Sequence, residues 1–211
     1  MFKNRCSRIY GVIAIKRLSS PGIFVLMIVA AHLLNSGYNW TQYTLSHLAL
    51  LRYGWLETAA VCIFGLFILS LAPGLYSAIQ PRIGLRSAVI ILIVMGLAFL
   101  VVAAFKTSDS DVVTMSVLIH RGATVIIAVT FPLASFLMLP SLRLDPRWRG
   151  LAVYCATAGI ISVVLDIIAI SMPHEIQTIM AGLWERISAA NGIVWFQVFA
   201  VRLFNIHRAT Q

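Results

Sequence analysis

The sequence predicts an all-α integral membrane protein: a bundle of six transmembrane helices with both termini on the cytoplasmic side. Three observations carry this. The chain of 211 residues is 60% hydrophobic and only 11% charged, whereas soluble domains carry about 25% charged residues. Six apolar runs approach the roughly 20 residues a helix needs to cross the hydrocarbon core. Lys and Arg concentrate in alternate connectors, as the positive-inside rule requires. In water so much apolar surface would go uncovered; in lipid it needs no cover.

The runs fall at about 21–40, 56–79, 85–105, 117–139, 150–172 and 187–206. A basic start before an apolar stretch can be a cleavable leader. Here the first run ends in His32, Asn35, Ser36 and Asn39 without a small-residue cleavage site, so a retained helix is expected. Pro81 and Gly84 separate the second run from the third, and Ser108, Asp109, Ser110 and Asp111 the third from the fourth. Pro140, Pro146 and Gly150 precede the fifth run, and Pro173 closes it. Lipid offers the backbone no hydrogen bonds, so each run reads as helix. The alternating ten-residue strands of a barrel are absent.

The divisions expected are a basic interfacial segment 1–20, a transmembrane domain 21–206 and a cytoplasmic tail 207–211. Lys3, Arg5, Arg8, Lys16 and Arg17 among Phe2, Ile9, Val12, Ile13 and Ile15 suit a short helix on the inner membrane surface. With the N-terminus inside, those five join Arg82, Arg86, Arg143, Arg147, Arg149, Arg202 and Arg208 as twelve inner cations. Arg52, Lys106, Arg121 and Arg186 are the four outer ones. The formal charge of +9 therefore points to phospholipid headgroups and away from nucleic acid. The plasma (inner) membrane is the expected location. Cys6, Cys62 and Cys155 show no CxxC or Cys/His spacing, so neither a disulfide framework nor a zinc module is indicated.

Four polar groups fall in the expected outer half. His32, Asn35, Ser36 and Asn39 share a helix face, and the connector behind them runs to His47 through Tyr38, Trp40 and Tyr43. Asp109 and Asp111 lead into the fourth run, whose first turns hold His120 and Arg121. Those acids suit helix capping; an imidazole inside the membrane boundary needs a partner. Asp166 has apolar neighbours on both sides, roughly 9 Å below the end of its run. A carboxylate there must be paired, neutral or bonded to a hydroxyl such as Ser162. Last comes Gly182-Leu183-Trp184-Glu185-Arg186-Ile187, with Asn191 and Trp195 behind it. Trp184 suits an interface anchor, and Arg186 is a candidate partner for Asp166. Pro132 could kink the fourth helix and open space beside it.

Shared depth predicts that His32, Asn35, His120, Asp166 and Glu185 converge on one outer-leaflet pocket. As an enzyme, His120, Asp166 and Asp109 would be the catalytic groups. His32, Asn35, Asn39, His47, Arg121, Glu185, Arg186 and Trp195 would bind ligand, the two arginines holding an anionic headgroup. Three mixed His and carboxylate groups could hold zinc or another divalent metal. The partners expected are membrane lipids and an amphiphilic small molecule. The competing reading is a non-enzymatic organiser or accessory subunit whose polar cluster is interhelical glue. A proton-coupled transporter would want polar groups reaching inward, and the inner halves of the runs lack them. No P-loop, GxGxxG, HExxH or GxSxG motif occurs. The inner side offers only His207, which argues against a pair of haems stacked across the bilayer.

Six helices, the turn Phe105-Lys106-Thr107-Ser108-Asp109 leading to His120, and Gly182-Leu183-Trp184-Glu185-Arg186-Ile187 before Trp195 resemble the bacterial membrane family called domain of unknown function 998. The likeness runs from about 22 to 206. The family typically has a Pro and an Asp in the third-turn motif, which Lys106 and Ser108 interrupt here. The resemblance implies the six-helix fold and says nothing of a reaction.

Overall fold

A backbone in hydrocarbon must pair its own N–H and C=O groups, so runs this apolar fold as helices. The computed structural model describes residues 20–80, 84–108 and 112–209, and among these there is no strand. The helices are α1 (Ser20–Leu34), α2 (Trp55–Ala78), α3 (Leu85–Ala104), α4 (Met115–Leu144), α5 (Ala152–Ser171) and α6 (His174–Ala209). Short 3-10 turns cover Leu45–Leu50 and Arg149–Leu151. Five helices, α2 to α6, are long and apolar enough to cross a membrane; the 15 described residues of α1 span about 22 Å. The chain is a multi-pass helical membrane protein. The interfacial segment expected before residue 20, Cys6, Arg82, Asp109 and Asp111 lie outside the described residues.

α2, α3 and α5 match the sequence reading within two residues. α1 stops at Leu34 and not at 40. Asn35 donates its side-chain amide back to the Ala31 carbonyl at 2.7 Å, and Gly37, at φ +84°, turns the chain away in the left-handed region. α4 runs past Pro140 to Leu144 because Ser141 and Leu142 bury completely in the bundle end. Its N-cap is Thr114, whose hydroxyl accepts the Val117 N–H, rather than an aspartate. α6 begins thirteen residues before the expected position, at 174 rather than 187. Pro173 both closes α5 and opens α6: its carbonyl accepts the N–H groups of Ile176 and Gln177 at 3.0 Å.

α2 and α3 touch at Gly65 and Gly96. A Cβ on Gly65 would lie 3.0 Å from the Gly96 carbonyl oxygen, so glycine there permits the close approach small residues give membrane helices. Below, aromatic rings fill the core. Trp195 stacks on Phe199 at 4.1 Å, with Phe131 edge-on to it at 5.6 Å.

One end of the bundle is closed by the 35–54 loop. The other is locked by Asp145, which is fully buried. Its carboxylate accepts from the Gln80 N–H at 3.0 Å, the Arg147 N–H at 2.9 Å and the Arg147 guanidinium at 3.0 Å. That guanidinium also donates to the Ala78 carbonyl at 2.8 Å, and Arg202 donates to the Arg147 carbonyl. Burial alone would raise the Asp145 carboxyl pKa; the Arg147 and Gln80 hydrogen bonds outweigh it and hold the carboxyl below the usual range.

Candidate functional site

The 35–54 loop folds back over the bundle, burying Leu48 and Ala49. Asn39 starts it: its side-chain oxygen accepts from the Thr41 hydroxyl at 2.7 Å and the Thr41 N–H at 3.2 Å, an Asx turn. The loop then meets α6 backbone to backbone. The Gly182 N–H donates to the Gln42 carbonyl at 3.2 Å and the Leu183 N–H to the Thr41 carbonyl at 3.0 Å. Only glycine allows this, because a Cβ at 182 would lie 2.2 Å from the Tyr43 carbonyl oxygen.

Arg186 fastens the same junction. Its guanidinium donates to the carbonyls of Tyr43 at 2.9 Å and Gly182 at 2.7 Å, to the Tyr38 hydroxyl at 2.8 Å and to His32 Nε2 at 3.0 Å. His32 Nδ1–H in turn donates to the Ile28 carbonyl at 3.1 Å, which fixes the neutral Nε2-acceptor tautomer. Tyr38 donates to the Thr44 carbonyl at 2.5 Å, and burial pushes its phenol pKa up against the Arg186 hydrogen bond. Glu185, one residue before, caps the 3-10 turn from a distance by accepting the Leu45 N–H.

Beneath the loop all six helices enclose a cavity of about 430 Å³. Its body is apolar, with Phe64, Phe99, Phe131 and Phe196 on the wall. Its loop-side part carries Ser46, Glu57, Glu185, Ser188, Asp166 and Gln177. Glu57, in the first turn of α2, is 4% exposed, and the Thr58 hydroxyl donates to its carboxylate at 3.4 Å, at the limit of a hydrogen bond. Ser162 lines the cavity one turn before Asp166, on the same helix. Trp184 also lines the cavity, and its buried indole N–H has no acceptor among the described residues, an uncommon state for a buried donor.

This geometry sorts the residues chosen from sequence. Asp166 and Glu185 line the cavity. His120 stands behind the wall, 6% exposed: its Nδ1–H donates to the Phe105 carbonyl at 2.7 Å, and its Nε2 meets the Ser46 hydroxyl at 3.1 Å. His32 and Arg186 are spent on the loop junction, Asn35 on the end of α1 and Asn39 on the turn that opens the loop. His47 stacks on Tyr43 at 4.3 Å. Trp195 is fully buried in the aromatic core. Arg121 is exposed, and Asp109 lies outside the described residues. The expected convergence of five residues on one cavity is therefore corrected to two, because helix depth fixes height and not direction. Arg186 does not pair with Asp166; its partners are carbonyls, a phenol and an imidazole. Among the described residues no three His, Cys, Asp or Glu side chains group as a metal site.

The whole arrangement lies within one recognised unit. The model of a family described as a protein of unknown function, DUF998, matches residues 19–202. The chain belongs to the DUF998 family. Comparison with curated proteins and with solved structures returns no match. The DUF998 match covers both the loop junction and the cavity.

Three residues of the candidate site are not singled out by the sequence. Glu57 could have been found, since an acid two residues into an apolar run obeys the same depth argument as Asp166. Gly182 stood in a motif already singled out, but only a backbone approach reveals its role. Ser46 carries no sequence signal.

Proposed function

We propose that this protein holds an amphiphile in its cavity, with the chain against the phenylalanine wall and the polar head beneath the 35–54 loop. The observation that carries this is one cavity with an apolar body and a polar end, both shaped by side chains already in place. Three carboxyl groups and no guanidinium on its wall favour a head rich in hydrogen-bond donors, such as hydroxyls or an amine. That replaces the anionic head expected from Arg186 and Arg121. Six crossings with both termini inside, in the plasma membrane, complete the proposal. α1 supports it, since Phe24 contacts Phe64 deep in α2 while His32 reaches the loop end.

Purified in mild detergent, the protein should retain a co-extracted lipid detectable by native mass spectrometry. Adding that lipid back at a hundredfold its Kd should stabilise the protein by about 2.7 kcal/mol. Glu57→Leu should weaken retention without unfolding the bundle, because the carboxyl contributes little to packing. A delipidated protein that melts like the lipid-loaded one would favour the organiser reading. That reading draws on the four hydrogen bonds of Arg186 and on the Asn191 amide, which bridges α6 to the Ala158 carbonyl of α5 at 3.0 Å.

Topology gives a separate prediction. In a background without native cysteines, Pro146→Cys should resist an impermeant outside reagent and Ser36→Cys should react, since both positions are exposed at opposite bundle ends. The reverse pattern in intact cells would invert the proposed orientation.

A further inference from the structure

We propose that Ser46 is a nucleophile and His120 its general base, so that the cavity carries out acyl transfer from the amphiphile it holds. The inference rests on the amphiphile reading and adds a reaction to it. Three features support it. Ser46 lines the cavity, and the one hydrogen-bond partner of its hydroxyl among the described residues is His120 Nε2 at 3.1 Å. The imidazole is oriented from behind, its Nδ1–H held by the Phe105 carbonyl at 2.7 Å. With that proton placed on Nδ1, Nε2 is the basic nitrogen and faces the hydroxyl. The 3-10 turn carrying Ser46 is itself pinned through Leu45 to Glu185, and His120 sits in a rigid α4 turn. Nucleophile, base and orienting group thus come from three segments, the arrangement that geometry requires of such a pair.

The step balances on these groups. Ser46 Oγ attacks the acyl carbonyl carbon of an ester, forming an O–C bond, while His120 Nε2 takes the hydroxyl proton. The carbonyl oxygen gains the electron pair. Collapse breaks the ester C–O bond, and the leaving alcohol takes the proton from His120. A water molecule then attacks the acyl-serine, again giving its proton to His120, and the fatty acid leaves as Ser46 is regenerated.

The test uses the full chain in detergent and a long-chain alkyl fluorophosphonate, which phosphonylates only activated serines. Intact and peptide mass spectrometry should place one adduct on Ser46. Ser46→Ala should abolish it. His120→Gln should slow labelling by roughly 10²–10⁴-fold, the range of a general base, while melting stays close to wild type. A Ser46 hydroxyl that merely satisfies His120 would not react with the probe. Absence of an adduct in a protein that still retains its lipid overturns the dyad and leaves the amphiphile reading standing. An adduct of equal rate in the Ser46→Ala or a folded His120→Gln protein also overturns it. Loss of lipid retention in wild type, with Ser46 still labelled, would fault the amphiphile reading alone.

Discussion

Asp145→Ala is expected to destabilise the bundle by about 3–5 kcal/mol, chiefly the cost of leaving two backbone N–H groups without their acceptor. The carboxylate is fully buried and accepts hydrogen bonds from two backbone amides and one guanidinium. Removing it orphans the Gln80 and Arg147 N–H groups and frees the arginine that bonds Ala78. Asp145→Asn keeps the shape and one acceptor oxygen, so its loss should be smaller, about 1.5–3 kcal/mol. Arg147 is about half exposed, its side chain at 47%, so the pair's Coulomb share is modest and the amide bonds dominate. Reversible unfolding in detergent, compared with an Arg147→Ala protein, separates the two contributions. An Asp145→Ala protein that melts like wild type would sink this account.

The same lock sets a pH dependence. The folded Asp145 carboxyl lies below its unfolded value of about 3.9. A depressed carboxyl contributes stability that is complete above the unfolded pKa and is lost as pH falls through the folded one. The gap between wild type and Asp145→Ala should therefore be constant from about pH 5 upward and close below pH 4. Arg147, whose pKa its bond to Asp145 raises, stays charged throughout that window.

What could be read from the sequence depended on what each position's neighbours had to be. α2, α3 and α5 are apolar around most of their circumference and bounded by Gly or Pro, so length and composition place them. α6 was read short because His174, Glu175, Gln177 and Thr178 dilute its first three turns, although a proline at the start of a helix is ordinary. In the site, intramembrane cost singled out Asp166 and shared depth added Glu185, and both line the cavity. It could not tell that His120 faces Ser46 while His32 faces Arg186, because azimuth depends on neighbouring helices. In the sequence Asp145 is a connector acid beside Pro146, with nothing local to mark it. Its burial follows from Gln80, Arg147 and Ala78 meeting at one bundle end, which no local pattern announces.

Gly182→Ala is expected to break the junction between the 35–54 loop and α6. The added Cβ would fall 2.2 Å from the Tyr43 carbonyl oxygen and 2.7 Å from that of Trp40. Both are backbone atoms, so no flexible side chain can yield; the loop must move outward by about 1 Å to restore ordinary contact. That shift stretches the bonds from Gly182 to Gln42 and from Leu183 to Thr41, and the Arg186 bond to Tyr43. Two neutral bonds at about 1 kcal/mol and one charged bond at about 2 suggest a loss of roughly 4 kcal/mol. The displacement continues along the loop to Leu45 and Ser46, so the Glu185 cap and the His120 contact loosen with it. Melting should fall, trypsin should cut after Arg52 in the folded protein, and fluorophosphonate labelling of Ser46 should slow with the same substitution. Gly122→Ala is the matched control: a Cβ there meets nothing within 4 Å, and alanine favours the helix by up to about 1 kcal/mol. If Gly182→Ala tracks Gly122→Ala in melting and in protection of the loop, the backbone junction between loop and α6 is not what holds the cavity closed.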